Sequence, residues 1–111
     1  MKALAFALVV GCAPGDAMPI EDMACPTAGT PLTYDNFGAD FFASYCNSCH
    51  SSAKSGAPRD IKFDTLADVQ SRKDRIFIRA AGPNVTMPPG PEDPPSDDRD
   101  KLAEWLACGA N

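Results

Sequence analysis

The sequence predicts an all-α domain of about four short helices joined by long loops. Phe37, Phe41 and Tyr45 recur every four residues in segment 34–45, which is the spacing of one helix face. A second apolar stripe, made of leucine and tryptophan, lies in segment 96–108. No segment alternates apolar and polar residues in the way a half-buried strand does, so no sheet is expected.

The first and last predicted helices carry recognisable end signals. Thr33 is the expected cap of the first helix. Gly38 lies in its middle, where glycine costs about 1 kcal/mol relative to alanine, and this choice suggests that another helix approaches closely. Ser96 is the expected cap of the last helix, two aspartates follow it near the positive helix end, and Gly109 stops it.

Two shorter helices are expected between them. Residues 64–71 form one helix, capped by Asp64 or Thr65. Residues 72–81 form the other, which ends before Gly82 and the proline that follows it.

The N-terminal residues have the pattern of an export signal. Residues 1–2 are a short positive start, and residues 3–10 are an apolar run too short to span a bilayer. Residues 8–12 resemble a bacterial lipobox, which implies cleavage before Cys12 and a lipid on its sulfur. A plain signal peptide with an incidental cysteine is the alternative.

The expected organisation follows from this pattern. Residues 1–11 are a signal peptide, residues 12–24 a lipidated flexible tether without periodicity, and residues 25–111 one folded domain. The expected location is the periplasm or cell envelope of a bacterium, anchored through Cys12. The outer membrane is favoured because Ala13 is not the aspartate that often retains lipoproteins at the inner membrane.

The segment Tyr-Cys-Asn-Ser-Cys-His, residues 45–50, carries the chemistry. A structural zinc site needs four ligands, and Cys46, Cys49 and His50 supply three at most. A redox dithiol usually opens a helix after a strand, whereas this motif follows a helix. The spacing C-x-x-C-H is typical of covalent haem attachment. At this spacing the two thiols can reach the two vinyl groups of the porphyrin, and His50 can bind the haem iron.

A second axial ligand is expected from the proline-rich loop 83–95. His50 is the only histidine, so a second imidazole from this chain is excluded. Thioether sulfur is a good ligand for haem iron, and Met87 lies near the middle of this stiff loop. Met87 is therefore the predicted ligand; a core-filling methionine is the alternative.

Together these features resemble a small class I cytochrome c over residues 33–108. The shared features are the aromatic first helix, Cys-Asn-Ser-Cys-His, Met-Pro-Pro, and a last helix that carries Leu102 and Trp105. The resemblance implies a cytochrome c-like bundle around one covalently bound haem c, with the first and last helices crossing. The matching crossing positions are Gly38, Phe41 or Phe42, Leu102 and Trp105. It also implies a carbonyl that accepts from His50, for which Pro58 is the candidate.

Two cysteines depart from the family pattern. Cys25 precedes the first helix and Cys108 ends the last one. If those helices cross, as the resemblance implies, the two thiols come within bonding reach in an oxidising compartment. A Cys25–Cys108 disulfide is therefore expected; two buried or intermolecular thiols are the alternative.

The resemblance implies an exported single-electron carrier with His50 and Met87 on the iron, and not an enzyme. Two alternatives remain. The first is a haem-based sensor or enzyme domain with an open distal iron position. The second is a binding lipoprotein without haem, in which the motif arose by chance.

The charge distribution limits the partners. The formal net charge is −5 and no basic stripe is present, which excludes nucleic acid as an expected partner. Residues 46–82 carry seven basic and four acidic side chains, whereas residues 83–111 carry two and six. This asymmetry suits brief docking of a monomer with redox proteins, which the sequence does not identify. The basic candidates for the haem propionates are Arg59, Lys62, Arg75 and Arg79.

Overall fold

The computed structural model describes residues 17–47, 50, 61–88 and 93–111. In these residues the chain forms helices and no strand, which confirms the all-α prediction. The helices are α1 (Ala39–Tyr45), α2 (Leu66–Ser71), α3 (Lys73–Ala80) and α4 (Ser96–Ala107). A 3-10 turn (Ile20–Asp22) precedes them, and a π-helical turn (Tyr34–Gly38) leads directly into α1.

The aromatic first helix begins at a capping box. The Asn36 N–H donates to Thr33 Oγ1 at 3.1 Å, and the Thr33 N–H donates to Asn36 Oδ1 at 2.7 Å. These two bonds satisfy two backbone donors that a helix start would otherwise leave unpaired. The predicted helix over 34–45 and its Thr33 cap are confirmed, with a π-helical first turn that the sequence pattern did not predict.

Helices α2 and α3 also follow the sequence signals. Thr65 caps α2 in a capping box with Asp68, which decides between the two predicted caps. Val69 is fully buried, and Leu66 packs against the core. Helix α3 ends at Ala80, and Gly82 adopts a φ of 56°, a left-handed conformation that glycine adopts at little steric cost.

The cap predicted for helix α4, Ser96, is wrong. Ser96 is the first helical residue, the N-cap position belongs to Pro95, and no side chain caps the helix. The reason is that the Pro95 carbonyl already accepts from the backbone N–H groups of Asp98 and Arg99, so the helix starts one residue earlier than predicted. Gly109, with a φ of 103°, follows the helix end as expected.

One side of the core lies where the first helix meets α4, and Ile76, Phe77 and Ala80 of α3 also belong to it. A Cβ on Gly38 would lie 2.6 Å from Cη2 of Trp105, so the absent side chain is what lets Trp105 approach. The Trp105 ring is fully buried and also contacts Tyr34, Phe37 and Phe42. The contact expected at Gly38 and Trp105 is therefore confirmed.

A disulfide closes the same end of the molecule. Cys25 and Cys108 are bonded, with their Cα atoms 4.9 Å apart and 83 positions apart in sequence. This is the predicted pairing, and it ties the segment before the first helix to the end of α4.

Three residues of the segment 12–24, which the sequence pattern predicts as a flexible tether, contact the domain. Met18, Ile20 and Met23 pack on the core, and the backbone of Met18 is bonded to the side chain of Asn84. The physical reason is a long-range side-chain to backbone pairing, which leaves no periodic signal in the segment itself. The predicted signal peptide and Cys12 lie outside the described residues. In the described part of the chain, no helix has the length and apolar character needed to cross a bilayer.

Candidate metal centre

His50 is held on three sides by backbone bonds and a ring contact. Its N–H donates to the Cys46 carbonyl at 2.8 Å, and its carbonyl accepts from the Phe63 N–H at 2.8 Å. Its ring packs against the Phe63 ring, with centroids 5.2 Å apart. The histidine that ends the motif is therefore fixed both by α1 and by the segment that leads into α2.

A further bond of His50 determines which ring nitrogen can bind a metal. Nδ1 lies 3.1 Å from the carbonyl oxygen of Ile61. A carbonyl only accepts, so Nδ1 is the donor in this bond, and the neutral ring with that proton has its lone pair on Nε2. A carbonyl partner on the far nitrogen is the usual way in which proteins orient a metal-binding imidazole.

The carbonyl that accepts from His50 belongs to Ile61 and not to Pro58, the residue expected from the family resemblance. Pro58 itself lies outside the described residues. The chain at 61–63 runs back beside the motif, where the Phe63 N–H and the Ile61 carbonyl both meet His50. The hydrogen-bond acceptor for the His50 ring therefore comes from a residue three positions later than Pro58.

Cys46 is a reduced, half-buried thiol at the end of α1. Its backbone N–H donates to the Phe42 carbonyl at 3.0 Å. Burial raises the pKa of the Cys46 thiol to about 12, and the charge of Arg99 opposes that rise. A reactive dithiol has a lowered thiol pKa, which is opposite to the direction of the shift at Cys46. Cys49, the second predicted attachment residue, lies outside the described residues.

Asn47 was missed by sequence reasoning. Its Oδ1 atom is buried and has no hydrogen-bond partner among the described residues, although its backbone N–H donates to the Phe42 carbonyl at 2.8 Å. A buried acceptor without a donor costs about 1 to 3 kcal/mol. The atom therefore identifies a place beside Cys46 where a donor is needed.

Met87 has an accessible side chain on a fixed backbone. The residue is 37 % exposed. Its N–H donates to the Arg79 carbonyl at 2.8 Å, and its own carbonyl accepts from Arg99 Nη1 at 2.8 Å. The hydroxyl of Thr86 also donates to the Arg79 carbonyl, at 3.1 Å. The loop is thus attached to the end of α3, whereas the thioether is left available.

Arg99 is a buried charged residue that holds the Met87 loop. Its residue exposure is only 4 %, and Nη1 donates to the carbonyls of Ala80, Asn84 and Met87. The charge of Arg99 also acts to lower the pKa of the Cys46 thiol, against the larger effect of burial. Sequence reasoning did not single out Arg99. The available signal was its spacing of three from Leu102, on the buried face of α4.

The described residues bring part of the predicted set together. Cys46 and His50 are joined by a backbone hydrogen bond, whereas Met87 is held by Arg79 and Arg99. No group of three or more histidine, cysteine, aspartate or glutamate side chains forms a metal site within the described ranges. Of the four basic candidates for the propionates, Lys62, Arg75 and Arg79 are exposed, and Arg59 lies outside the description.

Comparisons with protein-family models, with curated proteins and with solved structures find no match to this chain.

Proposed function

We propose that the protein is an exported monohaem c-type cytochrome that carries single electrons. Cys46 and Cys49 bind one haem c through thioether bonds, and His50 and Met87 are the axial ligands. The observation that best supports this is the Nδ1 bond from His50 to Ile61, since it leaves Nε2 free for a metal. This orientation of His50 supports the haem that the C-x-x-C-H spacing predicts.

The protein's part in this function is to bind, orient and insulate. When bound, the haem supplies a one-electron couple between ferric and ferrous iron. His50 is held by its backbone bonds and its contact with Phe63, and Met87 is held by its own backbone bonds. A thioether opposite an imidazole raises the reduction potential. With both axial positions taken by side chains, no substrate is expected on the metal and no catalytic residue is implied.

Covalent attachment is tested by mass under denaturing conditions. The full chain is produced together with the cytochrome maturation machinery, and the intact mass of the purified protein is measured after unfolding. We expect one haem on the wild type and none on the double variant Cys46→Ser, Cys49→Ser. The matched control is Cys25→Ser, Cys108→Ser, which also removes two cysteines but should keep its haem. A wild-type mass that matches polypeptide plus acyl chains alone would overturn the proposal.

Axial ligation is tested by absorption spectroscopy. A weak far-red band marks ferric iron bound to thioether sulfur, and we expect Met87→Ala to lose it. Met18→Leu and Met23→Leu are the controls, because each removes one of the other described methionines, and both should keep the band. The wild-type ferrous form should bind little carbon monoxide. Strong binding by the wild type would instead support the sensor or enzyme alternative with an open iron position.

The proposed location is the bacterial periplasm or cell envelope, with a lipid on Cys12 and the outer membrane favoured. Cys12→Ser should move the protein from the membrane fraction to the soluble fraction without changing the haem spectrum. The proposed partners are redox proteins that dock briefly with a monomer, as the uneven charge distribution suggests.

A further inference from the structure

Asn84 binds the backbone of a residue far away in the sequence. Its side chain is 5 % exposed. Its Oδ1 accepts from the Met18 N–H at 2.8 Å, and its Nδ2 donates to the Met18 carbonyl at 2.8 Å. Nδ2 also donates to the Phe77 carbonyl in α3, again at 2.8 Å. One amide therefore pairs with both backbone groups of Met18 in the way a neighbouring strand would.

The backbone of Asn84 continues this connection toward Met87. The Asn84 carbonyl accepts from Arg99 Nη1 at 3.1 Å, and the same nitrogen donates to the Met87 carbonyl at 2.8 Å. The Arg99 carbonyl in turn accepts from the Gly82 N–H at 2.8 Å. An unbroken series of hydrogen bonds thus runs from Met18 through Asn84 and Arg99 to Met87.

The chemistry of these bonds makes partial loss costly. Bonds from a charged guanidinium are stronger than bonds between neutral groups. Asn84 and Arg99 are both buried, so removing either side chain leaves carbonyls that water does not readily reach. The loop that carries Met87 is consequently held from one side by α4 and from the other by the segment that precedes the first helix.

We propose that Asn84 and Arg99 are positioning residues that brace the Met87 loop against residue 18. The segment around residue 18, which sequence reasoning assigned to a tether, then takes part in holding the axial ligand. The role in ligation rests on the proposed function, because it requires Met87 to bind iron. The brace itself is a property of the polypeptide and is tested separately.

The test uses the full, haem-loaded chain and two pairs of variants, with one further substitution at Arg99. Met18→Pro removes the N–H that donates to Asn84, and Met18→Leu is its control because it keeps that N–H and an apolar side chain. Asn84→Ala removes the bridging amide. Its control is Thr30→Val, which removes another long-range bond from the N-terminal segment, the one from the Thr30 hydroxyl to Glu104. Arg99→Lys keeps the charge, but its ammonium differs in reach and geometry from the guanidinium nitrogen that meets all three carbonyls.

The readout is local hydrogen exchange, measured by NMR at two backbone amides. The Met87 amide reports the loop, and the amide of fully buried Leu106 reports the core. We expect Met18→Pro, Asn84→Ala and Arg99→Lys to exchange roughly tenfold faster at Met87, which corresponds to the loss of one or two hydrogen bonds. Any change at Leu106 should be no larger than in the controls. A merely structural role would instead raise both rates equally.

A second readout follows the iron. In the variants that lose the brace (Met18→Pro, Asn84→Ala and Arg99→Lys), the far-red ferric band should be weaker than in the wild type and the controls, since a less firmly held loop leaves Met87 on the iron for a smaller fraction of the time. If the wild type shows the band but Met18→Pro and Asn84→Ala behave as their controls do in both readouts, the proposal that Asn84 braces the Met87 loop is wrong. If the wild type shows no such band, the proposed axial ligation fails, and the exchange rates still decide whether the brace exists.

Discussion

Gly38→Ala is the sharpest test of the helix contact that defines this core. The new Cβ would lie 2.6 Å and 2.9 Å from two atoms of the Trp105 ring and 3.1 Å from Cδ2 of Tyr34, whereas ordinary contacts begin at 3.4 Å. Trp105 has little room to move, because it is fully buried and its Nε1 donates to the Asn111 carbonyl at 3.1 Å. The ring or the whole helix must therefore shift.

Two opposing effects set the size of the change. Alanine favours a helix by about 1 kcal/mol over glycine, and the φ of −61° at Gly38 suits alanine. Overpacking costs about 1 to 3 kcal/mol, and displacement of Trp105 would also weaken its bond to Asn111, worth about 1 kcal/mol. The clash outweighs the helix preference, and we expect Gly38→Ala to lose about 2 kcal/mol in its free energy of unfolding.

Urea unfolding of four proteins measures this contact: wild type, Gly38→Ala, Trp105→Phe and the double variant. Phenylalanine lacks the two ring atoms that meet the new Cβ, so the penalty of Gly38→Ala should fall by at least about 1 kcal/mol in the Trp105→Phe background. Gly29→Ala is the control, because a Cβ at Gly29 would meet no atom within 4 Å and its φ is 79°; its strain should be the same in both backgrounds. A neutral or stabilising Gly38→Ala, or equal penalties in both backgrounds, would refute the contact.

Three further predictions concern stability, each measured as the shift of the urea midpoint. Cys25→Ser with Cys108→Ser should lose up to about 4 to 5 kcal/mol, because the bond closes a long loop in the unfolded chain, and a reductant should lower the midpoint of the wild type but not of the variant. Thr33→Ala and Thr65→Ala should each lose about 1 kcal/mol through the loss of a capping box, with additive effects. Ser96→Ala should change stability by less than about 0.5 kcal/mol, since Ser96 makes no capping bond; a loss as large as that at Thr33 would contradict the assignment of Pro95 as the cap position.

Local chemistry explains which parts of the fold could be predicted from the sequence. Thr33 and Thr65 act within three residues of their partners, and the stops at Gly82 and Gly109 depend on the conformation of one residue. Such signals are complete within a short window of sequence. The predicted cap at Ser96 was wrong because no local side-chain signal separates Ser96 from Pro95. The backbone geometry decides which of the two is the cap residue, and either residue permits it.

The residues that the sequence did not reveal act over long distances through the backbone. Asn84 recognises backbone groups of Met18, which lies 66 positions away, and any residue other than proline at position 18 would offer the same two groups. Ile61 likewise contributes only a carbonyl to His50. Because side-chain identity at positions 18 and 61 does not encode these bonds, no motif could have indicated them. Arg99 is the exception, since its place on the buried face of α4 was visible in the helical spacing.

Helix α4 links the stability of the core to the placement of Met87. Its C-terminal half meets the first helix through Trp105 and the disulfide through Cys108, whereas its N-terminal half holds the Met87 loop through Arg99. Trp105 lies six positions after Arg99, which is about 9 Å along a helix. A rigid helix of that length transmits a shift at one end to the other. Trp105, which meets Gly38, and Arg99, which holds the Met87 loop, therefore lie on one helix, so the helix contact and the support of the proposed ligand share a single rigid element.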